Sequence, residues 1–160
     1  MTSFTIRPLA ADDRTWLAAF IAAHWGSAMI VVRETLYDVT ALPGFVALDV
    51  ETVVGLVTYR VDGDDAEVMS LDSLREGQGI GSALLGVVAT IARTGGCLRL
   101  RLVTTNDNLH ALRFYQRRGF RLVALRPDAV TRGRHLKPQI PLLGHEGIPI
   151  RDEIELEITL

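Results

Sequence analysis

Gly77, Gln78, Gly79, Ile80, Gly81 and Ser82 stand between an apolar, β-favouring segment and a long amphipathic one, and no other part of the chain constrains the fold as tightly. Glycine lacks a Cβ, so this main chain can turn sharply and come close to a ligand. The helix that starts there offers unpaired N–H groups and the positive end of its dipole, which makes the turn a cradle for an anion. Two familiar phosphate loops do not fit. A Walker loop requires Gly-Lys-Ser/Thr, which is missing here. A dinucleotide fingerprint requires its third glycine one residue later, in the first βαβ unit, with an acidic residue about 20 positions on; here several strands precede the turn, and the next strand ends in Val103-Thr104-Thr105-Asn106.

Around this turn the pattern predicts an α/β fold. Residues 4–9 read as a first strand, and the spacing of Trp16, Leu17, Phe20 and Ile21 predicts a helix over 10–23. Residues 24–43 are mixed, with 33–37 read as a short helix and Pro43-Gly44 as a turn. Strands follow at 45–50, 53–61 and 67–74, joined so briefly that they form an antiparallel meander. Ile80, Leu84, Leu85, Val87, Val88 and Ile91 trace the apolar stripe of the next helix, which Gly95-Gly96 ends. A strand at 98–104 then runs parallel to 67–74. Asn106, Asp107 and Asn108 precede a helix over 109–118 and a strand over 120–125. Residues 127–151 read as a long ordered loop, whose length points to a functional role. The closing strand 153–160 alternates Ile154, Leu156, Ile158 and Leu160 with glutamates on a wet face, and its edge is a candidate for pairing in a homodimer.

The 160 residues, 48% hydrophobic, suit a single domain with one continuous core. A formal charge of −2 lacks the basic footprint of a nucleic-acid partner. No run of about 18 apolar residues calls for a membrane, and the expectation is a soluble cytoplasmic protein. Cys97, beside Leu98 and Leu100, reads as a buried strand residue. His24, His110, His135 and His145 lack ligand spacing and cysteine partners, so no metal is expected.

The order of these elements resembles the GNAT superfamily of acetyl-CoA-dependent N-acetyltransferases over nearly the whole chain. Two segments carry the resemblance most sharply: the turn at 77–81, and Asn108-Leu109-His110-Ala111-Leu112-Arg113-Phe114-Tyr115 followed by Gly119-Phe120. The resemblance implies a mixed, splayed central sheet of about seven strands flanked by about four helices. It implies that main-chain N–H groups around Gln78, Gly79, Gly81 and Ser82 hold the pyrophosphate of acetyl-CoA, and that Leu71 and Ser73 bond the pantetheine arm as a further strand would. Asn108 would touch pantetheine while capping its helix, and Tyr115 would protonate the departing thiolate. Glu67, in Ala66-Glu67-Val68, resembles the Ala-Glu-Ile strand start of the histone-acetyltransferase branch and becomes the candidate base, with Asp72 second. The sequence departs from the family at Glu76, where Gln or Arg is usual, with Arg75 beside it.

The resemblance implies a small-molecule or peptide amine as acceptor. Tyr37, Tyr59 and His24 are candidates for its site, and Trp25-Gly26 and residues 135–141 for its selectivity. Arg113, Arg117, Arg118 and Arg121 form a basic stripe, read as a solvated helix face or a partner for the 3′-phosphate of coenzyme A. Two alternatives stay open: a coenzyme A-binding module without turnover, and a transferase for another acyl group or a hydroxyl acceptor.

Overall fold

A computed structural model describes residues 3–160. Its central sheet has seven strands in the order β1 (Thr5–Pro8), β4 (Gly44–Asp49), β5 (Thr52–Asp62), β6 (Asp65–Ser73), β7 (Arg99–Thr105), β9 (Glu153–Thr159) and β8 (Arg121–Arg126). Strands β2 (Met29–Val32) and β3 (Thr35–Asp38) form a separate hairpin. The helices are α1 (Arg14–Trp25), α2 (Ile80–Thr94), α3 (Leu109–Gln116) and the short α4 (Ala129–Gly133). This is the mixed α/β sheet of about seven strands that the resemblance implies.

Every pair in the large sheet is antiparallel except β6 with β7, which α2 connects. That parallel pairing lasts for four residue pairs, from Asp65↔Arg99 to Val68↔Leu102. Beyond it β6 stays bonded to β5 as far as Ser73↔Gly55, and β7 to β9 as far as Thr105↔Glu153. The sheet therefore splays at its centre. A bulge sits at the same point: Thr58 pairs with Ser70 and Tyr59 with Val68, leaving Met69 without a partner on β5.

Two apolar clusters cover the sheet. One gathers Ile80, Leu84, Leu85 and Val88 of α2 with Val54, Val57, Val68, Leu100 and Tyr115. The other gathers Leu17 and Ile21 of α1 with Ile30, Val32, Leu56 and Met69. Helix α2 can lie close to the sheet because residue 55 is glycine: a Cβ there would stand 2.5 Å from Ile80 Cγ2 and 3.1 Å from the Asp72 carbonyl oxygen. Helix α1 is anchored by Asp13, which accepts from the Arg7 guanidinium, the Ala10 N–H and the Trp16 indole.

Three expectations are corrected. Residues 33–37 belong to a hairpin, not a helix. Ile30, Val31, Val32 and Thr35 are β-branched, and Arg33 and Glu34 turn the chain with φ of 50° and 58°. That conformation is unusual without glycine or asparagine, and here it is held by the Glu153 carboxylate, which accepts from the Arg33 N–H. The glutamate face of β9 is not wet, since Glu153 and Glu155 are only 4% and 8% exposed under the hairpin. Nor does β9 present an edge: it lies between β7 and β8, and β8 is the edge strand.

Gly55→Ala is expected to lower stability by about 1–3 kcal/mol through overpacking. A urea midpoint unchanged from that of the parent chain would contradict the close approach of α2.

Candidate active site

The turn before α2 is built as the glycines predict. Gly77 and Gly79 adopt φ of 73° and 75°, and Gly79 is the N-terminal cap of α2. A cavity of about 720 Å³ opens over this turn, bordered by Leu71, Ser73, Gly79, Gly81, Ser82, Asn108 and Tyr115 among others. Gln78 does not border it; its side-chain Oε1 is buried without a hydrogen-bond partner. A Cβ at Gly81 would stand 3.2 Å from the Phe114 ring, so glycine lets α3 close against the start of α2. Arg75 is tied to Asp49 at 2.6 Å, and Glu76 is exposed.

A cation that sequence reasoning left in the basic stripe belongs to this cavity. Arg118 stacks on Phe114, 3.5 Å from the ring centroid, and donates to Ser82 Oγ at 2.6 and 2.9 Å. This fixes a guanidinium beside the first turn of α2. The signal was faint, because Phe114 and Arg118 lie one helical turn apart among other arginines. Arg113 and Arg117 border an adjoining groove of about 450 Å³.

Where β6 and β7 part, a second cavity of about 330 Å³ opens. Leu71, Asp72, Asn108, Ala111 and Tyr115 border both cavities, so these five residues stand at the junction. Asn108 caps α3, its Oδ1 accepting from the Ala111 N–H at 3.1 Å. Tyr115 packs edge-on against Phe114 and Phe120 at 5.1 and 5.4 Å and is 7% exposed. Burial, reinforced by the charge of Asp72, pushes its phenol well above the ordinary tyrosine range. Asp72 accepts from the Trp25 indole N–H at 3.1 and 3.2 Å. Burial raises its carboxyl above the usual carboxylate value, while Trp25 and nearby His24 pull it back down.

Glu67 lies elsewhere. It is 1% exposed and borders neither cavity. Its carboxylate meets Arg33 at 2.5 Å, Arg60 at 3.0 Å and Arg101 at 3.6 Å. Its oxygens accept from Arg33 and Arg60 and lie near Arg101, away from both cavities. Tyr37 lies under Arg60, and Tyr59 stacks on Phe45; neither borders a cavity. His24, Trp25 and His145 do border the second one. Sequence reading singled out His24 and Trp25 but not His145, which reaches the cavity only because the segment after α4 folds back and its N–H bonds Asp107.

The family model described as acetyltransferase (GNAT) family matches residues 11–120. The chain belongs to the GNAT acetyltransferase family. Two Bacillus subtilis (strain 168) relatives extend the likeness: the uncharacterized protein YdhI is 44% identical over 139 residues, covering 86% of this chain and 87% of the relative. The uncharacterized protein YxbD is 43% identical over 152 residues, covering 94% and 96%. A GNAT family acetyltransferase from Elizabethkingia anophelis, solved with acetyl-CoA bound, superposes with a TM-score of 0.71 at 21% identity over 98% of both chains. That last likeness supports the GNAT fold. No helix among the described residues is long and apolar enough to cross a membrane.

In this GNAT chain, an NMR titration of the Asp72 carboxyl is expected to show it ionising above the ordinary carboxylate range. Trp25→Phe removes a donor that favours the charged form, so it is expected to move that ionisation further up. A downward move would contradict the assigned hydrogen bond.

Proposed function

We propose that the protein transfers an acetyl group from acetyl-CoA to an amine, which attacks directly while both substrates are bound. The observation that carries this reading is the shared wall: Asp72 and Tyr115 border both cavities at the splay, so a group entering from each side meets the same two side chains.

The residues present suit coenzyme A. A Cβ at Gly77 or Gly79 would meet nothing within 4 Å, so there is room above the turn for a diphosphate. Main-chain N–H groups from Gln78 to Ser82 would bind it, with Arg118 adding charge beside Ser82. This bears on the departure at Glu76, since Arg118, in the turn after α3, adds a cation beside the loop. Leu71 and Ser73 lie where β6 has lost its β7 partner, and their main chain is available to pantetheine. Asn108 would close the other side of that arm, and Arg113 and Arg117 suit the 3′-phosphate. The cosubstrate supplies an activated acetyl thioester.

Asp72, in preference to Glu67, would accept the proton of the ammonium, because a protonated amine has no lone pair with which to attack. Its burial supports this role by bringing its ionisation closer to neutral pH. As the new N–C bond forms and the C–S bond breaks, Tyr115 would donate its proton to the thiolate; burial keeps the phenol protonated until then. Trp25 would hold Asp72 in place.

Free-thiol release with a panel of amines tests the reading directly. Tyr115→Phe is expected to lower kcat by about 10²- to 10⁴-fold with little change in acetyl-CoA affinity. Asp72→Asn is expected to cost a similar factor and to remove the acid limb of the pH profile, whereas Glu67→Gln should leave the position of that limb unchanged. Saturable acetyl-CoA binding with no turnover on any acceptor would favour a coenzyme A-binding module instead.

A further inference from the structure

Lysine is rarely buried without a carboxylate to meet it, yet Lys137 is only 7% exposed. Burial, with no acidic partner to offset it, moves its ammonium below the ordinary lysine range. Its Nζ donates to the main-chain carbonyl of Trp25 at 3.2 Å, 112 residues away along the chain. Trp25 is the last residue of α1, where carbonyls lack partners within the helix and the dipole is negative. An ammonium suits that place.

Lys137 is itself held. Its N–H bonds the Gly133 carbonyl at 3.2 Å, at the end of α4, and its carbonyl accepts from the Ile140 N–H. The Arg134 guanidinium gathers the carbonyls of Ile140, Pro141 and Ile150 around the same turn. Contacts therefore run from the β2–β3 hairpin, through Gly133 against Val31, to the end of α1. That end carries the side chain that meets Asp72: the Trp25 indole N–H lies 3.1 and 3.2 Å from the two carboxylate oxygens. Trp25 is 40% exposed, so packing covers only part of the ring. Lys137 borders neither cavity at Asp72, so any effect on that carboxyl beyond its own charge passes through Trp25.

We propose that Lys137 is a positioning residue, which clamps the Trp25 carbonyl and so keeps the indole N–H on Asp72, the proton acceptor; this rests on the acetyl-transfer reading above. A donor held against the carboxylate favours its charged form, and a donor free to swing away does so less. Loss of the clamp therefore moves the ionisation of Asp72 up. The other titratable groups near Asp72 come from three elements: His24 of α1, whose positive form favours the carboxylate, Tyr115 of α3, and His145 after α4. Arg75, Glu76, His110 and Arg118 border the first cavity with it. None of these is altered in the test.

The test is a double-mutant cycle on the full chain, read by NMR titration of the Asp72 carboxyl and by thiol release with the best amine of a panel. Lys137→Met, of similar length but without a donor, is expected to make Asp72 ionise at higher pH and to carry the acid limb of the kcat profile with it. At neutral pH kcat is expected to fall by about 10- to 10²-fold, as misplacement of a catalytic group does, with the KM for acetyl-CoA unchanged. In a Trp25→Phe background the same substitution is expected to move the ionisation much less, because no indole remains to be positioned. Equal shifts in the two backgrounds would mean that Lys137 acts on Asp72 by charge alone, and no shift in the parent background would make it a merely structural lysine. Either result would overturn the inference. Where Lys137→Met does not fold, Lys137→Gln, whose side chain is one atom shorter, carries the same expectations. Absence of thiol release from the parent chain with every amine would overturn the acetyl-transfer reading, while the NMR cycle would still decide whether the clamp exists.

Discussion

The separation of β6 from β7 after four residue pairs is the constraint on which the rest of the structure depends. Each strand keeps its outer neighbour to the end, so the gap costs only the hydrogen bonds the two would have exchanged. Main-chain groups freed in this way need partners, and an extended ligand arm can supply them as a strand would. The bulge at Met69 marks where the register of β6 shifts, and Phe114 and Tyr115 of α3 border the cavities there. The same opening sets the glycine turn that follows β6 beside Tyr115, a side chain that is buried yet borders both cavities.

The opposite use of buried charge appears a few residues earlier on β6. Glu67 and Glu155 are both joined to Arg33, while Arg60, Arg101 and Arg126 complete a chain of ion pairs across β5, β6, β7, β8 and β9. Taking such charges out of water is costly unless each is met by a partner, and removing one partner leaves another charge stranded. The arrangement holds the tip of the β2–β3 hairpin over the sheet. Gly133 of α4 in turn lies against Val31, where a Cβ would come within 3.0 Å of its Cγ1. The network therefore also supports α4, which packs on the hairpin. Glu67 is engaged by arginines away from both cavities, while Asp72, held by the Trp25 indole N–H, stands at their junction.

Much of this was legible in the sequence because local signals agreed with tertiary needs. The seven sheet strands, the glycine turn and the capped α3 each announce themselves through periodicity or through residues with a single suitable conformation. What was not legible depended on partners distant in sequence. The Arg33-Glu34 turn lacks the glycine or asparagine that usually marks one and is stabilised by Glu153, 120 residues away. The glutamates of β9 alternate as a solvent face does, and only the arginines of the hairpin and β8 show that they are covered. The sequence put Glu67 ahead of Asp72, and only the arginines that meet it from β5, β7 and the hairpin show that it borders neither cavity. Arg118 was hidden among similar arginines until its stacking on Phe114 fixed it beside Ser82.

The most direct test of the central claim is a two-dimensional amide NMR titration of the full chain with coenzyme A. The account predicts that the largest shifts fall on the N–H groups of Gly79, Ile80, Gly81 and Ser82, with a second group at Leu71 and Ser73 on the open side of β6. Shifts confined to other surfaces, or none at these six amides at saturating ligand, would contradict it.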